Sequence, residues 1–257
     1  MLRVISAMKG FAIEASDGPI GTVVDFLFDD ASWKVRWLVV DCGTWLNRRK
    51  VLIHPSAVSY VNTRDERFEA NLTKAQVQGS PEWGEHEPVS QRMQHRLYDY
   101  YGWDPLWGGP YLGAAVGGMA SPIAPTPYLG FQTGAAQSFD IDESELGEPH
   151  LRSVVEVIGY HIHALDGDIG HVEDLLLDEE DWRLRYFVVD TRYWWFGKHV
   201  LIEAASVKDI EWSDRHVFLD VSRERVKSSP PWDPMVSFNE LYRKQLHEHY
   251  GWPLTPH

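Results

Sequence analysis

The sequence predicts a mainly β protein: two tandem small barrels, each followed by a C-terminal helix, joined by a Gly/Pro/Ala-rich linker. Three observations carry that expectation. The chain repeats itself at a fixed offset, each copy is cut into short alternating segments by turn residues, and each copy ends in a stripe of apolar residues at helical spacing.

The repeat is visible in ASDGPIGTVVDFLFDD at 15–30 and ALDGDIGHVEDLLLDE at 164–179. An offset of 149 joins Asp17-Gly18 to Asp166-Gly167, Trp33 to Trp182, Pro81 to Pro230, and Tyr101-Gly102-Trp103 to Tyr250-Gly251-Trp252. About 32 identities fall over about 102 positions without a gap, the mark of a duplicated unit. The units are residues 1–103 and 151–257. Between them, 104–150 has no charged residue from Pro105 to Phe139 and is dense in Gly, Pro and Ala, which predicts a flexible or partly extended linker.

In the first copy Gly10–Ala15 reads as a strand, and Asp17-Gly18 as the tight turn after it, since both residues tolerate positive φ. Thr22–Asp29 and Trp33–Asp41 follow. The second of these alternates Trp33, Val35, Trp37 and Val39 against Lys34, Arg36, Leu38 and Val40, a core face and a more solvated one. Residues 51–53, 58–61 and 67–72 complete six short strands. Gly21 and Gly170 stand where a side chain is expected, which points to a bulge or a close backbone approach. Beyond Pro81 and Trp83, apolar residues at Val89, Met93, Leu97 and Tyr101 predict one helix; Phe238, Tyr242, Leu246 and Tyr250 predict its counterpart. Ser237 and Glu240 have the spacing of a capping box at its start.

The run from the Asp-Gly turn through GTVVDFLFDDASWKVRWLVVDCG and VLIHPSAV resembles the PRC-barrel, and GHVEDLLLDEEDWRLRYFVVDTRYWW with KHVLIEAASV resembles it more closely. That family is named for the cytoplasmic domain of the photosynthetic reaction centre H subunit. It also occurs in a ribosome maturation factor and in small stand-alone bacterial and archaeal proteins. Gly21, Gly170, Asp25, Asp174, Val39-Val40-Asp41 and Val188-Val189-Asp190 carry the resemblance, over about residues 8–77 and 157–226. It implies the barrel fold and a binding module. It implies no catalytic residues, because the family's members share none and a fold does not dictate an activity.

Charge narrows the function classes. The formal net charge is −14. Residues 1–103 hold 12 basic against 13 acidic side chains, 104–150 none against six, and 151–257 12 against 19. An acidic chain argues against nucleic acid as the partner, because phosphate requires a basic face. The single cysteine, Cys42, together with a start lacking a signal-peptide apolar core and no apolar run of transmembrane length, leads us to expect a cytoplasmic protein.

No catalytic set, metal site or cofactor is expected. The DGDIGHVEDLLL run fails the EF-hand pattern, with Gly170 at its fifth position and Leu177 at its twelfth. Asp29-Asp30 and Asp178 to Asp181 read as solvated hairpin turns. His161 and His163 share a strand face, with His171 on the next strand, a donor set that would suit a divalent metal. The first copy has Ala12, Glu14 and Thr22 there, so the fold does not require it, and solvent-facing histidines are expected. His247 and His249, two apart on a helix, diverge. Cys42 lacks an activating neighbour, and Arg48-Arg49-Lys50 reads as a hairpin tip.

Aromatic excess marks the interface candidates. Trp194-Trp195-Phe196 is continuous where the first copy has Trp45-Leu46-Asn47, and neighbours on an extended chain cannot all face one core. Trp194, Trp195, Phe196 and Trp45 are therefore the expected contact residues for a protein partner, for the other barrel or for a second chain. The expected function is a non-enzymatic protein-binding or scaffold module. The alternative is an RNA- or ribosome-associated factor, with a metal-dependent enzyme around His161 and His163 third.

Overall fold

The computed structural model describes residues 1–83, 89–103, 151–191, 199–233 and 238–253. The first copy forms seven strands where six were expected: β1 (Leu2–Val4), β2 (Ala12–Ala15), β3 (Gly18–Asp29), β4 (Lys34–Asp41), β5 (Lys50–Ile53), β6 (Val58–Asn62) and β7 (Arg67–Ala70). Two helices follow, α1 (Lys74–Gln78) and α2 (Gln91–Tyr101). The second copy repeats the order with β8 (Leu151–Ser153), α3 (Val154–Val157), β9 (His161–Ala164), β10 (Gly167–Asp178), β11 (Arg183–Asp190), β12 (His199–Glu203), β13 (Val207–Glu211), β14 (His216–Leu219), α4 (Arg223–Lys227) and α5 (Glu240–Tyr250). The linker expected at 104–150 lies outside the described residues. No described helix is long and apolar enough to cross a membrane.

Both glycines do what their position suggested. A Cβ on Gly21 would run into the carbonyl oxygen of Asp41, and one on Gly170 into that of Asp190. The pairing of β2 with β3 and of β9 with β10 shifts register beside each glycine, so the long strand bends there to serve two neighbours.

The alternation in β4 needs correction. The strand is buried from Lys34 through Val40, on both faces. Leu27 pairs with Trp37 but Phe28 pairs with Val35, so Arg36 is an extra residue and the period of two slips by one. Val35, Leu38 and Val40 consequently fill the barrel, while Trp37 and Val39 join Val89, Met93 and Leu97 beneath α2. The same slip occurs at Arg185, between Tyr186 and Leu184. Trp33 and Trp182 leave their strands altogether: each takes φ 58° in the turn, its N–H donating to the carbonyl of Asp29 or Asp178 at 2.8 Å.

Helix capping differs from expectation in one copy. Ser90 caps α2 by accepting from the Met93 N–H, and at the matched position Asn239 caps α5 by accepting from the Tyr242 N–H. Asn239 thus replaces the expected Ser237 cap, and Glu240 becomes the first residue of the helix.

The two barrels are not self-contained. β1 pairs antiparallel with β10 of the second copy, and β8 pairs with β3 of the first. The N-terminal strand of each barrel is thus donated to the other, and the barrels also touch where Lys34 pairs with Arg183. Val35 N–H donates to Trp182 at 2.8 Å and Leu184 N–H to Trp33 at 2.7 Å, across a local two-fold axis. The tryptophans cross as well. Trp33 meets Phe187 edge-on at 5.3 Å, and Trp182 lies 6.2 Å from Phe68. A single apolar core therefore contains residues of both copies.

Candidate functional site

Asp25 and Asp174, which carry the family resemblance, hold the exchange in place. Asp174 accepts from the backbone N–H and the hydroxyl of Ser6 in the opposite copy. Asp25 accepts from the Val155 N–H at 3.2 Å, the matched backbone position, but takes its hydroxyl from Ser153 at 2.5 Å. Burial pushes both carboxyls up, and these hydrogen bonds only partly offset it. A second matched pair is ionic: Arg3 bridges to Glu179, and Arg152 bridges to Asp30 at 2.9 Å. The acidic turns are therefore not simply solvated. Asp29, 5% exposed, accepts from the Ser32 N–H and hydroxyl at 2.7 Å, and Asp178 pairs with Arg185.

The remaining polar features sort themselves by their contacts. Cys42 is buried, which pushes its thiol up to about 11 and leaves it protonated at neutral pH. Arg49 donates to the carbonyls of Gln78, Ser80 and Pro81, tying the loop after α1 to the hairpin tip. His247 is buried against Tyr186 at 2.8 Å, whereas His249 reaches the Arg225 carbonyl at 2.7 Å, so the two diverge as expected. Of the interface candidates, Trp45 is half-buried, with its indole N–H donating to the Ile20 carbonyl and Lys74 Nζ 4.7 Å above its ring. Trp194, Trp195 and Phe196 lie outside the described residues.

The histidines form one row across the second barrel. His216 pairs with His161, His161 with His171, His171 with Asp190, and Asp190 with His199. Residues directly opposite one another in a sheet share a face. The same row in the first copy reads Arg67, Ala12, Thr22, Asp41 and Lys50. The structure separates the expected cluster of His161, His163 and His171. His163 turns to Asp168 at 2.7 Å, and the His161 ring lies 5.5 Å from that of His216. His171 faces the other way along the row, its Nε2 3.7 Å from Asp190 Oδ2.

At the far end, Asp190, Glu173 and His199 converge, each offering one ligand atom within 4.8 Å of the other two. Glu173 is the extra residue of the bulge between Val172 and Asp174, which swings its carboxylate toward β12. Sequence reasoning missed Glu173, Asp190 and His199. The signal was the column-by-column difference between the copies, where Thr22, Val24 and Lys50 become His171, Glu173 and His199. It could be read only with the register that makes those positions neighbours.

A model of the PRC-barrel domain matches residues 5–77 and 152–226, one match per copy. No curated protein gives a significant match. The two matched stretches include the exchanged-strand contacts at Ser6, Asp25, Ser153 and Asp174, the bulge glycines and all barrel strands from β2 to β7 and from β9 to β14. Together they span more than half of the chain, which is a tandem member of the PRC-barrel family.

Proposed function

We propose that this protein is a non-catalytic binding module, a rigid double barrel that presents its surface to a protein partner. One observation carries the reading: polar side chains that recur in both copies fasten the copies to each other or brace turns within one of them. Asp25 and Asp174 fasten the exchanged segments, Arg3 and Arg152 bridge the copies, and Arg185 closes its own turn on Asp178 and Asp181. What duplication preserved is the framework, so selectivity belongs to surfaces where the copies differ.

The segment 194–196 is the candidate surface. In the first copy Trp45 donates its indole N–H to the Ile20 carbonyl. Trp194 occupies the matched position, and Trp195 and Phe196 stand where Leu46 and Asn47 suffice in the first copy. Aromatic anchors of this kind carry about 2 kcal/mol or more of a protein interface. A cytoplasmic setting suits the free, buried Cys42.

The test compares the full chain with Trp195→Ala as bait in extract of the native cell. A protein recovered in stoichiometric amount, weakened about 30-fold by the variant while its melting temperature holds, supports the reading. Loss of stability with unchanged capture would make Trp195 a packing residue, and recovery abolished by nuclease would favour RNA as the partner.

A further inference from the structure

We propose that Glu173, Asp190 and His199, with His171 as an outer fourth donor, hold a divalent transition-metal ion of the zinc class. Three independent features point there. The first is convergence: the carboxylates and the imidazole come from three neighbouring strands, β10, β11 and β12, and their ligand atoms lie within 4.8 Å of one another. Ligands 2.0–2.2 Å from a tetrahedral ion stand about 3.3–3.6 Å apart, so small rotamer adjustments open this cluster to that geometry. His171 Nε2 stands outside that group of three but next to its buried carboxylate, 3.7 Å from Asp190 Oδ2.

The second feature is the state of the atoms that face each other. Glu173 Oε2 and His199 Nε2 form a close ion pair, 2.6 Å apart, and neither atom has a hydrogen-bond partner among the described residues. A cation held between them would coordinate both atoms at once and relieve so short a contact. Asp190 between them is fully buried, where carboxylates are paired or bind metal.

The third is the duplication. The first copy folds the same strands with Thr22, Val24, Asp41 and Lys50, and there Asp41 accepts from the Gly43 N–H at 2.8 Å in its own turn. The barrel therefore needs none of the added donors, and a lysine in the His199 position would repel a cation. Two imidazoles with two carboxylates select zinc and its first-row neighbours over calcium or magnesium, which prefer oxygen alone. If His171 turns in to join the three converging groups, four protein donors on three strands make a structural clip at the end of the barrel, whereas a catalytic centre would keep a position open.

The experiment strips the full-length chain with a chelator and titrates zinc alone against a chromogenic competitor. One equivalent is expected to bind and to raise the melting temperature. Glu173→Val with His199→Lys installs what the first copy carries at Val24 and Lys50, and should weaken zinc at least about 100-fold while the metal-free chain still folds; His171→Ala should weaken it by about 10-fold. Should the double variant unfold, His199→Gln alone is expected to show the loss. Absence of binding by the parent chain, unchanged binding in these variants, or loss in His161→Ala and His163→Ala instead would each overturn the assignment.

Discussion

Beneath α2 the first copy stacks rings: Trp37 lies 5.3 Å from Tyr98 and 5.4 Å from His54, which in turn lies 5.7 Å from Trp103. Beneath α5 the matched positions are Tyr186, His247, Glu203 and Trp252, and the Tyr186 hydroxyl bonds His247 Nε2 at 2.8 Å while His247 Nδ1 reaches the Pro253 carbonyl at 3.0 Å. Both layers pack rings, but the first adds His54 where the second has Glu203, and the second joins Tyr186 to His247 by a hydrogen bond. Inside the barrels Ile13, Ile20, Val23, Val40 and Val51 recur as Ile162, Ile169, Val172, Val189 and Val200, and Phe26, Phe28, Leu38 and Phe68 give way to other apolar residues, Leu175, Leu177, Phe187 and Val217. The barrel interiors belong to a core shared through exchanged strands, so a change there is felt by both halves. The layer under α2 is a cluster of its own whereas that under α5 runs into the shared core, so the first, like the row ending in His199, is the freer to diverge.

The hardest way to break this comparison is to separate the copies. Residues 1–103 alone lose the β8 strand, the Ser153 and Val155 donors to Asp25, and half of the core. That fragment is expected to show no cooperative melting by itself and to regain it when mixed with residues 151–257. A monomeric fragment with its own sharp transition would show that exchange is dispensable. A carboxylate in the shared core comes next. Val188, 2% exposed, should on Val188→Asp lose several kcal/mol, comparable with a small domain's whole stability. Calorimetry should show one lowered transition for the entire chain; one lowered and one unchanged transition would mean two independent barrels.

The smallest effect separates the helix layers by pH. Burial beside Trp37, Tyr98 and Trp103 lowers His54 to about 3, so the folded state keeps it neutral. Between its ordinary 6.5 and that value the unfolded chain binds the extra proton, and stability falls as pH falls, by about 1.4 kcal/mol per pH unit. Glu203, at the matched position, is raised by burial instead, so within the window above its ordinary 4.5 the folded state holds more proton and stability falls as pH rises. Urea denaturation of His54→Gln between pH 6.5 and 5 should lack the acid-side loss of the parent. An unchanged slope would assign the loss to other groups.

The legible parts were those encoded by neighbours in sequence. Glycine at 21 and 170, the Asp-Gly turns and the apolar stripe of α2 act within a few residues, and each appeared where expected. The bulge at Arg36 was hidden, because an extra residue changes which face every later side chain takes, and the alternating pattern looks the same on either side of it. Trp33 showed similar ambiguity: its repetition with Trp182 was plain, but not that the two would cross between copies.

By itself the sequence determined that there are two equivalent units, six of the seven strands in the first and that the chain is acidic, since identity at a constant offset and period-two runs require no knowledge of partners. Tertiary structure alone decided that β1 serves the second barrel and β8 the first, and that Glu173, Asp190 and His199 meet. Strand pairing joins residues far apart in the chain, and nothing in the order of Leu2–Val4 names β10 rather than β3 as the edge it completes. That choice is made by the combined hydrogen bonds and buried area of both copies, which exist only once the whole chain has folded.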